Sequence, residues 1–193
     1  MRLFVALDLH EEIRQRIARF VEGVGEFAPQ PRWVSPQSLH ITLKFIGQSE
    51  QKDELCKALE GISAPPVELA FRGTGFFPTA HSARVFWIGV EADQRLAVLA
   101  SEIDAALKPA GVTPESRAFS PHLTLARAGS GAPHNRSSDT PNRQFARLQQ
   151  KLAALSPPDF GTMTAREFWL YESKTAPSGA IYTKLARFEL KST

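Results

Sequence analysis

The chain has 193 residues, 42% of them hydrophobic and 22% charged, a globular composition that excludes disordered and fibrous classes. Its net charge of +3 suits an anionic substrate without demonstrating one, and its one cysteine, Cys56, excludes an internal disulfide and a Cys-cluster metal site. No apolar run approaches the ~20 residues of a membrane span, and the opening MRLFVALDLHEE turns acidic too early for a signal peptide, so a soluble cytoplasmic protein without membrane association is expected.

In chain order, residues 3–9 (LFVALDL) read as a strand. Residues 11–24 follow as a helix with Ile13, Ile17, Phe20, Val21 and Val24 on one face. SLHITLKFIG at 38–47 reads as a buried strand, and 50–62 as a helix facing inward with Leu55, Ala58, Leu59 and Ile62. VELAFRG at 67–73 is a further strand. The order then repeats with a strand at 84–90 (RVFWIGV) and a helix at 93–107, Asp93 as its N-cap and Leu96, Leu99, Ile103 and Leu107 inward. SPHLTLARAG at 120–129 is the second buried strand. A polar Gly/Ser/Pro/Asn segment at 128–143, holding His134, reads as an inserted loop. A helix at 141–155 with Phe145, Leu148, Leu152 and Leu155, and strands at 165–173 and 180–190, complete a mixed α+β chain.

A shift of 82 residues superposes Phe4 on Phe86, Ile17 on Leu99, Val21 on Ile103, His40 on His122 and Thr42 on Thr124. Such a duplication packs as a pseudo-symmetric pair whose equivalent residues face each other across a groove. Alternation along a strand puts His40 and Thr42 on one face, roughly 6.6 Å apart, with Ile41 and Leu43 on the other; His122 and Thr124 behave alike. Zinc usually takes three or four protein ligands, and His10, His81 and His134 fall in no ligand-spaced motif. Neither G-x-S-x-G nor a Walker-type glycine loop occurs. Two imidazoles that titrate near neutral pH suit acid/base work: one takes a proton from water while the other gives one to a departing alkoxide. Threonine hydroxyls can hold the non-bridging oxygens of a phosphodiester.

With these motifs the chain resembles the 2H phosphoesterases, and more closely the bacterial RNA 2′,3′-cyclic phosphodiesterases also described as 2′-5′ RNA ligases. MRLFVALDL is similar to the family's opening strand, RWVSPQSLHITLKFIG and AFSPHLTLAR to its two H-x-T-x motifs, and LYESKTAPSGAIYTKLARFEL to its closing segment. The resemblance implies an α+β bilobal fold in one domain, two pseudo-symmetric lobes (about 1–82 and 83–193) with antiparallel sheets lining a central cleft and helices outside. It implies no metal or cofactor and, carried onto this chain, His40 as proton donor, His122 as proton acceptor, and Thr42, Thr124 and Arg127 as substrate ligands. Strict alternation from His122 would point Arg127 off that face. Lys44 shares the parity of His40 but reads equally as a solvated lysine and stays outside the site. Phe45 and Trp33 can stack on a base, core packing being the better reading for Phe45.

The expected reaction opens RNA 2′,3′-cyclic phosphate ends to 2′-phosphomonoesters. The expected partners are such ends, tRNA fragments among them, or cyclic nucleotides, met by a monomer. Two alternatives use the same residues: 2′-5′ RNA ligation by the reverse-type reaction, and recognition of RNA ends without turnover. The loop at 128–143 is expected to be mobile and dispensable for chemistry, lacking an apolar anchor.

Overall fold

Leu3 to Leu7 are all buried, so the first strand, β1 (Arg2–Asp8), is covered on both faces. That accounts for an apolar run without alternation. The computed structural model describes residues 1–132, 140–177 and 179–191. In it β1 leads to α1 (Glu11–Val24), the two-residue β2 (Arg32–Trp33), a 3-10 turn at Pro36–Ser38, β3 (His40–Gln48), α2 (Lys52–Glu60) and β4 (Val67–Phe77). The order recurs as β5 (Val85–Ala92), α3 (Gln94–Leu107), β6 (His122–Arg127), α4 (Ala146–Ala153) and β7 (Asp159–Ala165). The hairpin of β8 (Glu167–Ala176) and β9 (Gly179–Glu189) ends the described chain.

Two antiparallel sheets result, ordered β3-β1-β8-β9 and β2-β6-β5-β4-β7. With the four helices found among the described residues they make the α+β bilobal architecture expected from the sequence. The sheets do not follow the two halves of the chain. β4, which ends the first half, pairs with β5, while β8 from the second half pairs with β1. The helices cross as well: α1 follows a strand of the first sheet but packs on β7 of the second, and α3 follows β5 but packs on β3. The main apolar core therefore runs through both halves, from Leu3 and Ile17 to Leu99 and Phe145, with a smaller cluster of Phe4, Ala6 and Tyr171 beside it.

The helices expected at 11–24 and 93–107 form within a residue of those bounds, and Asp93 caps α3 by accepting from the Arg95 amide at 2.9 Å. The other two are shorter than the apolar spacing predicts, and Leu155, expected inward, is 46% exposed beyond the end of α4. The superposition of Phe4 on Phe86 also needs correction. β1 pairs with β3 as Phe4 opposite Phe45, and β5 pairs with β6 as Val85 opposite Arg127, so pairing makes Val85 the counterpart of Phe4. Phe86 points into the core, stacked on Phe76 at 5.0 Å with the edge of Trp33 at 5.9 Å.

Because Phe86 is fully buried, Phe86→Ala is expected to cost about 3–5 kcal/mol through lost burial and the cavity left behind. Urea denaturation should show a lower midpoint at an unchanged slope. A loss under about 1 kcal/mol would show that the core is not closed around this ring.

Candidate active site

β3 lies at one edge of the first sheet, and beyond β6 the second sheet has only β2. These two strands run beside each other at the seam between the sheets, and each begins with a motif histidine. The Nδ1 of His40 lies 2.8 Å from the carbonyl oxygen of Ser38, and the Nδ1 of His122 lies 2.9 Å from that of Ser120. A carbonyl oxygen only accepts, so both Nδ1 atoms carry the proton. Each ring is thereby held by the backbone two residues before it, and Nε2 is left for proton exchange.

Cross-strand partners share a face, and they show which side chains accompany the histidines. His40 lies opposite Asp8 and Thr42 opposite Ala6; His122 lies opposite Gly89 and Thr124 opposite Trp87. Directly after its threonine each motif strand carries an extra residue, Leu43 in β3 and Leu125 in β6, and β3 has a second irregularity at Ile46. A bulge of one residue reverses the alternation beyond it. Lys44 consequently faces the core opposite Val5, and Phe45 returns to the face of Thr42, opposite Phe4. In the second sheet Ala126 turns inward opposite Phe86, and Arg127 returns to the face of Thr124. The expectation that alternation points Arg127 away is thus corrected by the bulge at Leu125.

The same device overturns two readings on β3. Lys44 does not share the face of His40 but is buried, paired with Asp104. Phe45, expected in the core, is 61% exposed on the cleft face. Trp33 is committed elsewhere: half-buried against the core, it donates from Nε1 to the Ala28 carbonyl at 2.9 Å.

His40 sits in an aromatic nest, its ring 4.8 Å from that of Phe4 and 5.0 Å edge-on to Tyr182, while Tyr171 stacks on Phe4 at 5.0 Å. Burial pushes the pKa of His40 below its ordinary 6.5, opposed by the bond to Ser38 and reinforced by the charge of Arg127 across the seam. Arg127 and His40 are therefore brought together from different sheets. Asp8 favours the imidazolium, but Arg14 and Lys184 both bind its carboxylate. Although burial alone would raise the pKa of Asp8, these two cations hold it below the usual range. A cavity of ≈430 Å³ opens beside His40, lined among others by Asp8, Ser38, Tyr171, Tyr182 and Lys184. This is within the size range of small-ligand sites. Two larger depressions of ≈610 Å³ each lie against Glu68 and Asp93, and against Glu60 and Arg187; neither is lined by a motif residue.

On the opposite wall Phe77 meets His122 edge-on at 5.1 Å and leans against Trp87 at 5.1 Å. Trp87 lies across Gly75, where a Cβ would come within 2.2 Å of the indole, so only glycine admits the ring in that position. Sequence reading missed Asp8, Tyr171, Tyr182, Phe77 and Trp87. One signal was available: the chain has only two tyrosines, and both lie in the closing segment that resembles the family.

The inserted segment beyond Arg127 is pinned at both ends by polar side chains. Gln144 accepts from the Gly129 amide at 2.9 Å and donates to the Ser130 carbonyl at 3.1 Å, and the buried Asn142 donates to the Ala83 carbonyl at 2.6 Å. His134 and the rest of 133–139 lie outside the described residues. Among the described residues, no helix is long and apolar enough to cross a membrane.

Residues 9–175 match the family model of the 2′-5′ RNA ligase superfamily. The chain is 32% identical to an RNA 2′,3′-cyclic phosphodiesterase of Archaeoglobus fulgidus, over 98% of this chain and 100% of that protein. A protein of the same name from Methanothermobacter thermautotrophicus is 31% identical over 98% and 99%. Among solved structures, Escherichia coli LigT complexed with 3′-AMP is similar with a TM-score of 0.76 and 28% identity, covering 99% of this chain and 98% of that one. By the match of the model, the full-length relatives and the paired His-x-Thr strands, the chain belongs to the 2′-5′ RNA ligase superfamily, the 2H phosphoesterases.

Proposed function

We propose that the protein hydrolyses RNA 2′,3′-cyclic phosphate ends to 2′-phosphomonoesters, with His40 as general acid and His122 as general base. The observation that carries this reading is the pair of imidazoles, one on each motif strand, each with Nδ1 bound to a backbone carbonyl and Nε2 available. The names of the full-length relatives support the substrate class.

A neutral His122 takes a proton from water at Nε2 as the water oxygen attacks phosphorus, and the imidazolium of His40 returns a proton to the departing ribose oxygen. The hydroxyls of Thr42 and Thr124 donate to the non-bridging oxygens, and Arg127 offsets the charge that builds there. Phe45 offers an exposed ring on the same face for a base. Both proton transfers and the charge stabilisation are supplied by side chains, so the scheme calls for no metal. Joining a 5′-hydroxyl RNA to the cyclic phosphate would use the same groups, and water at about 55 M favours hydrolysis unless the two ends are held together.

Turnover of a nucleoside 2′,3′-cyclic phosphate should persist in EDTA, and phosphorus NMR should find the 2′-phosphate predominant. A predominant 3′-phosphate would mean the ribose is held the other way round. His40→Ala and His122→Ala should each lower kcat by roughly 100-fold or more in a folded protein; near-normal turnover in either would end the two-histidine scheme.

The lowered pKa of His40 gives a pH dependence of defined sign. The acid must be protonated, so kcat/KM, which reports the free enzyme, should fall with rising pH through a value below 6.5. A bound phosphate anion offsets Arg127 and favours the imidazolium, so the alkaline limb of kcat should lie at higher pH than that of kcat/KM. Arg127→Met should move the kcat/KM limb upward. An alkaline limb of kcat/KM above that of kcat would contradict the assignment of His40 as the acid.

A further inference from the structure

The bulge at Leu43 sends Lys44 into the interior, where it is 5% exposed. A buried ammonium is tolerated only when its charge and its donors are met. Its Nζ donates to Oδ1 of Asp104 on α3 and, at 2.7 Å, to the carbonyl of Thr113. The same Oδ1 accepts from the Glu115 amide at 3.0 Å. Burial pushes the Asp104 carboxyl up, but Lys44 and that amide outweigh it and hold it below the usual carboxylate range.

What these bonds join matters more than their number. Lys44 stands in the first sheet, two residues after Thr42, whereas Asp104, Thr113 and Glu115 lie on the stretch of chain that follows β5 and ends in the carbonyl of Ser120 and His122. One ammonium therefore ties the strand of one motif to the chain feeding the other. The second bulge has no such tie, since Ala126, fully buried, takes the place of Lys44. A buried ion pair contributes no more stability than a well-packed apolar pair of similar volume. Core stability alone therefore gives no reason for a charge at this position in one strand and a methyl group in the other.

We propose that Lys44, Asp104 and the Thr113 carbonyl form a positioning clamp that sets the relation of β3 to β6, and with it the placement of His40 and Thr42 against His122 and Thr124. The proposal rests on reading the cleft as a phosphodiesterase site. Lys44 touches no reacting group and acts through the strand it holds. Catalysis that needs two side chains on opposite sides of one phosphorus is sensitive to such placement, where a displacement near 1 Å can cost ~100-fold.

The test is the double variant Lys44→Met/Asp104→Leu, which removes both charges and keeps the bulk. With a nucleoside 2′,3′-cyclic phosphate, kcat should fall about tenfold while KM stays within about threefold and the melting temperature stays near that of the parent. NMR titration of His40 supplies a readout independent of turnover. The charged and titratable groups around that ring are Asp8 on β1, Glu11 and Arg14 on α1, Tyr171 on β8, Tyr182 and Lys184 on β9, and Arg127 on β6. Of those on strands, only Arg127 belongs to the second sheet. Loosening the clamp withdraws Arg127, and the His40 pKa should rise. Lys44→Arg, which keeps the charge, should retain kcat within about threefold. If the double variant does not fold, Asp104→Asn, which keeps an acceptor for Glu115, should show the same fall in kcat and rise in His40 pKa. An unchanged kcat and an unchanged His40 titration in the folded variant would overturn the clamp. A parent protein inactive on the cyclic phosphate would instead overturn the phosphodiesterase reading, with the His40 titration still deciding on the clamp.

Discussion

The extra residue that follows the threonine of each motif strand is the constraint on which the rest of the cleft depends. Without the bulges at Leu43 and Leu125, the alternation set by His40 and His122 would carry Phe45 and Arg127 into the core and bring Lys44 and Ala126 out. With them, each strand shows the cleft a histidine, a threonine and then a third side chain, aromatic on one strand and cationic on the other. A bulge also adds local twist, which suits a strand at the seam between two sheets. The same backbone feature thus decides both which side chains face the cleft and what must be satisfied inside, Lys44 being the costly case.

The second theme is the electrostatics around His40. His40 lies among Phe4, Tyr171 and Tyr182 and feels Arg127 from the facing sheet, and both effects favour its neutral form. Asp8, cross-strand from His40, would favour the cation, but Lys184 and Arg14 draw on its charge. An acid that is reluctant to be charged in the free protein takes up its proton when a phosphate anion offsets Arg127, so the donor is loaded where the leaving oxygen needs it. Under the proposed chemistry, Arg127 is then more than a phosphate ligand. It makes protonation of His40 depend on an anion being present.

What was legible in the sequence was local. Periods of two and of 3.6 residues mark the strands and helices, and the paired His-x-Thr runs mark the site, because both signals lie within a dozen residues. The exchange of β4 and β8 between sheets was not legible, since pairing partners lie far apart in the chain and neither strand's composition names its neighbour. The bulges were hidden for a related reason: HITLKF and HLTLAR read equally well as unbroken alternation, and only the partner strand shows that Leu43 and Leu125 are unpaired. The match of Phe4 with Phe86 misled because both are aromatic, although one faces the cleft and the other the core. Tyr171 and Tyr182 reach His40 through β8 pairing with β1, a contact that no local pattern encodes.

The central claim is that both histidines present Nε2 to the cleft because backbone carbonyls hold the proton on Nδ1. Long-range proton–nitrogen NMR of the imidazoles reads the tautomer of each ring directly. Above the pKa of both rings, the account predicts the Nδ1–H tautomer for His40 and for His122 alike. Finding either ring predominantly as the Nε2–H tautomer would contradict it, because that ring would have no free lone pair on the cleft side with which to take a proton.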